Sequence, residues 1–246
     1  MTLWRVEWLR IWRTRTVWIL FGIFIFFGVL GPLTAQFLPE IVERAGVAGE
    51  IDLPPTSPEL AMSQYVSNAL QIGILAIAFI AATALAFDSK PEIAVFYRTR
   101  ATITEILTPR YVVIAITAVA AFASGTLIAF ALSTVLIGTP DALATLKGSA
   151  LISLYIMLAV ALVGLMSSLI SSVPGAALLG IGTLILLGIA TMVPYVGPWL
   201  PSYLVGGFDT LVAGGEFDYW GAILTTVAAT AAAVWASTYL MGRREV

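Results

Sequence analysis

Six stretches of this chain run for about twenty residues with almost no charge, and each is long enough to cross a bilayer as a helix at about 1.5 Å per residue. They are roughly Val17 to Leu38, Val66 to Phe87, Tyr111 to Ile137, Ser149 to Ser172, Gly175 to Val196 and Tyr219 to Leu240. The third is long enough to tilt or to project beyond the membrane. The runs are apolar around the whole helix. A β-barrel would need polarity alternating with period two, which they lack. Hydrophobic residues make up 60% of the chain and charged ones 11%, against about 25% charged in soluble domains. The expectation is an all-α polytopic membrane protein with six transmembrane helices in a single transmembrane domain over 1–246. Only Ser-Val-Pro-Gly, around Val173, Pro174 and Gly175, separates the fourth and fifth runs. Either a tight turn joins two spans there or one helix is broken.

Charge assigns the sides. The amino-terminal segment (Arg5, Arg10, Arg13, Arg15), the loop between spans two and three (Lys90, Arg98, Arg100, Arg110) and the carboxyl tail (Arg243, Arg244) hold ten of the 12 basic residues. The opposite side holds Arg44 and Lys147, with nine of the 14 acids, among them Glu40, Glu43, Glu50, Asp52, Asp209, Glu216 and Asp218. The lysine/arginine bias makes the basic side cytoplasmic. The expected location is the cell membrane, multi-pass, with both termini in the cytoplasm. A net charge of −2 gives no global basic signal for nucleic acid.

The chain opens MTLWRVEWLRIWRTR. Trp4, Trp8, Ile11 and Trp12 recur at three- and four-residue spacing, with Arg5, Arg10 and Arg13 largely off that stripe. This pattern predicts an interfacial helix over 1–15 that bends near Arg15 into the first span. Its indole rings (Trp4, Trp8, Trp12) would anchor at headgroup depth, and its arginines would meet lipid phosphates. An aromatic belt plus a topology signal explains the same composition without a further role. The run after it has bulky residues and no small-x-small cleavage site before Gly31-Pro32, so it reads as a retained anchor.

The loop FDSKPEIAVFYRTRATITEILTPRY, Phe87 to Tyr111, is the most informative polar stretch. Ser89-Lys90-Pro91-Glu92 and Thr102-Ile103-Thr104-Glu105 each fit a capping box. Pro109 is expected to stop the second helix. Two short helices with an Arg-Thr-Arg turn follow. Ile93, Phe96 and Tyr97 form an apolar-aromatic patch on the first. Such a patch packs on the ends of its own spans, lies on the bilayer or meets a partner.

The layout resembles the integral-membrane permease of an ATP-binding-cassette exporter of the second membrane type. That family has an interfacial helix before span one. Its loop between spans two and three carries a glutamate, a basic cluster and a leucine-threonine-proline segment. Glu92, Arg98, Arg100, Glu105, Ile106, Leu107, Thr108, Pro109 and Arg110 stand in those places. Where the family often has Glu-Arg-Glu-x-Gly-Thr, this chain has Phe96-Tyr97-Arg98-Thr99-Arg100-Ala101-Thr102, so the acidic-glycine part is degraded. The resemblance implies that 88–110 is a coupling loop docking into a separate ATP-binding subunit. Ile93, Phe96 and Tyr97 would supply buried contacts there, and Glu92, Arg98, Arg100 and Glu105 oriented polar ones. ATP and Mg would sit on that subunit, with no cofactor on this chain. A second copy, or a sister permease, would complete the pathway. Export of a lipid-like or drug-like amphiphile is the activity expected. The alternative is a non-transporting assembly or scaffold protein that recruits a cytoplasmic partner.

On the outward side, 39–65 contains Pro54, Pro55 and Pro58 and is expected to be a compact loop. The segment 194–218 is too apolar for a water-exposed loop and too broken by proline and glycine for a span. It predicts a re-entrant or interfacial hairpin. By the resemblance, Trp199, Tyr203 and Phe208 would gate the outer mouth, whereas an aromatic belt on an irregular connection fits the residues equally.

The sequence has no cysteine and no histidine. It also lacks a phosphate-binding Gly-x-x-x-x-Gly-Lys-[Ser/Thr] loop, a zinc signature and Gly-x-Ser-x-Gly. No catalytic or metal-binding residue is expected. Ser167, Ser168, Ser171 and Ser172 are expected to bond neighbouring backbone rather than act as nucleophiles. The span centres hold no Asp, Glu, Lys or Arg, which disfavours a self-powered ion-coupled carrier. Ser124-Gly125-Thr126, Ser133-Thr134 and Gly180-x-Gly182 either let helices approach closely or line a path.

Overall fold

The computed structural model describes residues 3–44, 55–86, 99 and 101–243. Every regular element among them is helical. In order these are α1 (Leu3–Arg13), α2 (Thr16–Arg44), α3 (Pro58–Leu85), α4 (Ile103–Leu136), α5 (Ala142–Leu169), α6 (Val173–Ala190), a 3-10 turn (Gly197–Trp199), α7 (Tyr203–Val212) and α8 (Trp220–Gly242). Six of them, α2 to α6 and α8, are long and apolar enough to cross a membrane. An even number of crossings puts α1 and the carboxyl end of α8 on one side, here called the basic side.

The α1–α2 bend falls at Arg15, whose φ of 58° is left-handed. A non-glycine residue there carries roughly 1–2 kcal/mol of strain. The α5–α6 connection is a tight turn. Ser172 accepts from the Gly175 amide at 3.2 Å, and Pro174 lies in the first helical turn. Proline suits that position because its missing N–H would have had no intrahelical partner.

Two expectations are corrected. Pro109 does not stop a helix: α4 runs unbroken from Ile103 to Leu136, so the second short helix of the loop is the first turns of the third span. Proline removes one intrahelical bond, and here it falls in the second turn. The buried Ile106, Leu107, Arg110 and Tyr111 around it offset the loss. The expected capping box is present, with Glu105 N donating to Thr102 Oγ1 at 3.3 Å and Thr102 N to Glu105 Oε2 at 2.8 Å. The 39–65 segment, at the end opposite the basic side, is also more helical than expected. α2 continues through Pro32 and Pro39 to Arg44. α3 begins at Pro58, where Ser57 accepts from Leu60 N at 3.2 Å.

The core is built around α2, α3 and α4, with α5 behind them. Gly28 of α2 and Gly125 of α4 cross at backbone distance: a Cβ on Gly28 would stand 2.5 Å from the Gly125 carbonyl oxygen. Beside the crossing, Phe24 meets Phe122 edge-on at 5.8 Å and Tyr65 of α3 stacks on Phe122 at 6.0 Å. Tyr65 Oη donates to the Phe122 carbonyl at 2.8 Å. α8 packs mainly on α5, and α6 packs on α5 and α3.

Candidate functional site

On the basic side, α1 is tied to the bundle by a buried charge cluster. Its stripe divides: Ile11 is buried, whereas Trp4, Trp8 and Trp12 stay partly exposed at its flank. Glu7 turns inward and is only 4% exposed. Its carboxylate accepts from Arg10 Nε at 2.6 Å and from Arg110 Nε of α4 at 3.0 Å. Arg110 Nη1 also donates to the Ala84 carbonyl at 2.8 Å. That carbonyl belongs to the last turn of α3, where no helical N–H follows, so a guanidinium is a favourable cap. One ion-pair network therefore locks α1, the end of α3 and the start of α4 together. Sequence reasoning missed Glu7. The available signal was a lone acid among four arginines inside a tryptophan stripe.

Of the expected partner-binding residues, Glu92, Ile93, Phe96, Tyr97, Arg98 and Arg100 lie outside the described residues, as does the first capping box at 89–92. Glu105 is described and its carboxylate is engaged in the α4 cap.

A cleft of about 510 Å³ opens laterally between α4, α5 and α8. Its wall is apolar: Val112, Ile116 and Val119 on α4, Met157 and Val160 on α5, Val234 on α8. Its hydroxyl-bearing residues are Thr108 and Tyr111 toward the basic end and Thr230 midway along α8, and its exposed lining is almost wholly apolar. Tyr111 stitches three helices there. Its hydroxyl shares a 2.7 Å hydrogen bond with Ser237 of α8, and its ring fills the space over Gly164 of α5. Through Thr108 the cleft adjoins a hollow between α1 and α4 lined by Leu3, Trp4, Thr104, Glu105 and Pro109. Through Ile116 and Ala120 it adjoins a pocket of about 180 Å³ walled by Trp8, Trp12, Trp18 and Phe21. On its other flank, Met157, Thr230 and Val234 are shared with a second furrow bounded by Leu154, Val227 and Trp235. Apolar space in the bundle thus lies beside aromatic and polar surface at the level of α1, with Thr108, Ile116 and Ala120 as shared walls.

At the opposite end, the 194–218 segment forms the 3-10 turn and α7. Phe208 is fully buried, and its ring would lie 2.7 Å from a Cβ placed on Gly148 of α5. Trp199 and Tyr203 are exposed. Thr225 of α8 donates to the Trp199 carbonyl, and Tyr203 packs on Tyr219 at 5.4 Å. Asp209 on α7 has its carboxyl pushed above the ordinary range by lost hydration, partly offset by a hydrogen bond from Ser63. The three residues expected to form an outer gate thus divide into one core side chain and two surface ones.

The serines near the α5–α6 turn behave as local bonders. Ser167 donates to the Val163 carbonyl at 2.9 Å and Ser168 to that of Leu165 at 2.6 Å. Among the described residues no group of three or more Asp and Glu side chains is placed to hold a metal ion. No protein-family model, no curated protein and no solved structure matches the chain.

Proposed function

We propose that the chain is the transmembrane permease subunit of an ATP-driven exporter whose cargo is a lipid-like or drug-like amphiphile. The observation that carries this reading is the lateral cleft between α4, α5 and α8. It is apolar along its length, has Thr108 and Tyr111 at its basic end, and adjoins hollows walled by Trp4, Trp8, Trp12 and Trp18. An amphiphile needs such neighbouring surfaces: a dry wall for its chain and an aromatic, polar rim for its head.

The basic side is taken as cytoplasmic from the lysine/arginine bias, which puts both termini there. The energy source is a separate ATP-binding subunit that carries ATP and Mg and docks on the loop between α3 and α4. This chain is its non-catalytic partner, assembled as two copies or with a sister permease. The Glu7–Arg110–Ala84 network gives the loop a rigid base. A push on the start of α4 would move α1 and the end of α3 with it.

The test is native mass spectrometry of the complex extracted gently from its own membrane. The expected result is two permease chains with two ATP-binding subunits. A reproducible particle with no ATP-binding subunit, under extraction that preserves known partners, would instead support a scaffold that recruits a cytoplasmic protein without transport.

A further inference from the structure

The chain has four carboxamide side chains: Gln36, Gln64, Asn68 and Gln71. Three of them fall on one helix at i, i+4 and i+7, which is one face. That helix is α3, a membrane-crossing element, and Gln71 is the fourteenth of its 28 residues. At about 1.5 Å per residue, Gln71 sits roughly 20 Å from either end, near mid-membrane.

Neighbouring helices do not cover this face. Ser67, Gln71, Leu75, Phe79 and Thr83 are exposed at every fourth position, and Gln64 and Asn68 are half-buried alongside them. Asn68 Nδ2 donates to the Gln64 carbonyl at 2.8 Å. Among the described residues no hydrogen bond reaches the Gln71 carboxamide or the Ser67 hydroxyl. Many hydroxyls in the spans satisfy themselves on their own helix, as Thr83, Thr134, Thr183 and Thr230 do on carbonyls four residues back. A mid-span carboxamide facing lipid has two donors and an acceptor with nothing to meet.

The geometry points to this face of α3 as the seam on which a second copy of the same chain docks. The inference deepens the two-copy assembly proposed above and rests on it. A two-fold axis along the membrane normal brings identical residues to the same depth on facing helices. A carboxamide carries both donor and acceptor, so Gln71 can pair with Gln71 and Asn68 with Asn68. No complementary sequence is needed. Below this polar zone, toward the basic side, Leu75 and Phe79 continue the same face with apolar contact.

The chain lacks cysteine, so single cysteines report without background. Asn68→Cys and Gln71→Cys are oxidatively cross-linked in native membranes. Leu127→Cys on α4 and Leu224→Cys on α8 serve as lipid-facing controls. The expected result is a disulfide-linked dimer at the α3 positions, at least about tenfold above the controls, and absent labelling by a membrane-impermeant thiol reagent. The triple variant Gln64→Leu, Asn68→Leu, Gln71→Leu is expected to insert normally and to lose the two-copy species in mild detergent. Cross-linking at the controls but not at α3 overturns the seam. So does labelling of Gln71→Cys by the impermeant reagent without cross-linking, which would make this face the wall of a water-filled path. A two-copy particle that survives the triple variant overturns the seam alone. Absence of any two-copy species in the unsubstituted protein overturns the assembly reading beneath it.

Discussion

The two halves of this bundle are held by different means. In the 18-residue stretches that define the spans, α5 is 61% buried, α3 and α4 are each 50% buried and α2 33%, while α6 is 22% and α8 17%. The α2–α3–α4 side is closed by backbone contact at Gly28 and Gly125, by the Phe24–Phe122–Tyr65 cluster and by the Glu7–Arg110 pair. The α8 side is joined chiefly through α5 and a few hydroxyls, and there the apolar cleft opens. In a bilayer the hydrophobic effect does not press helices together, so packing and polar contacts decide which faces close. The tight half is the frame, and the loose half has room for a guest or for movement.

The largest effect is expected at the buried ion pair. Glu7→Ala removes the carboxylate that Arg10 and Arg110 share, and breaking a buried pair costs up to about 3–5 kcal/mol. Proteolysis of detergent-solubilised protein should show α1 released, and Trp4, Trp8 and Trp12 should shift their fluorescence toward that of water-exposed indole. Unchanged protection would mean that packing of Ile11 alone holds α1. Next comes Gly125→Ala, whose methyl meets the Phe24 carbonyl and the Tyr65 hydroxyl. A loss of about 1–3 kcal/mol in thermal or denaturant unfolding is expected from that overpacking. Tyr111→Phe removes the stitch to Ser237, for a loss of about 1 kcal/mol, with α8 more mobile in hydrogen exchange. The smallest effect is on the loose side. Gly182→Ala meets nothing within 4 Å, and its helix propensity should gain up to about 1 kcal/mol. If Gly125→Ala and Gly182→Ala behaved alike, the contrast between the halves would fail.

The six spans, the α1 bend and the Thr102–Glu105 cap were legible in the sequence because each is local: apolar length, helical spacing and a four-residue motif suffice. Pro109 misled because the rule that proline ends helices ignores what the rest of the helix buries. The partnership of Glu7 with Arg110 spans 103 positions, and a single sequence holds no record of which distant residues meet. Phe208, Trp199 and Tyr203 look alike in the sequence, as aromatic residues of one segment broken by proline and glycine. Only the pairing of α7 with α5, over Gly148, separates Phe208 from Trp199. The α3 carboxamides were visible in the sequence. A search of the spans for full charges passes over them, and only exposure shows that they face outward rather than into the bundle.

The lateral cleft is the central claim, and photolabelling tests it most directly. A photoactivatable amphiphile with its diazirine on the chain is added to native membranes, and the labelled peptides are mapped. Modification is predicted to concentrate on the α4 segment around Ile116 and Val119 and on α5 around Met157, and to disappear when Ala115→Phe and Ala120→Phe fill the space. Label spread over the lipid-facing surfaces of α2, α6 and α8 in proportion to their exposure, and indifferent to those substitutions, would contradict it.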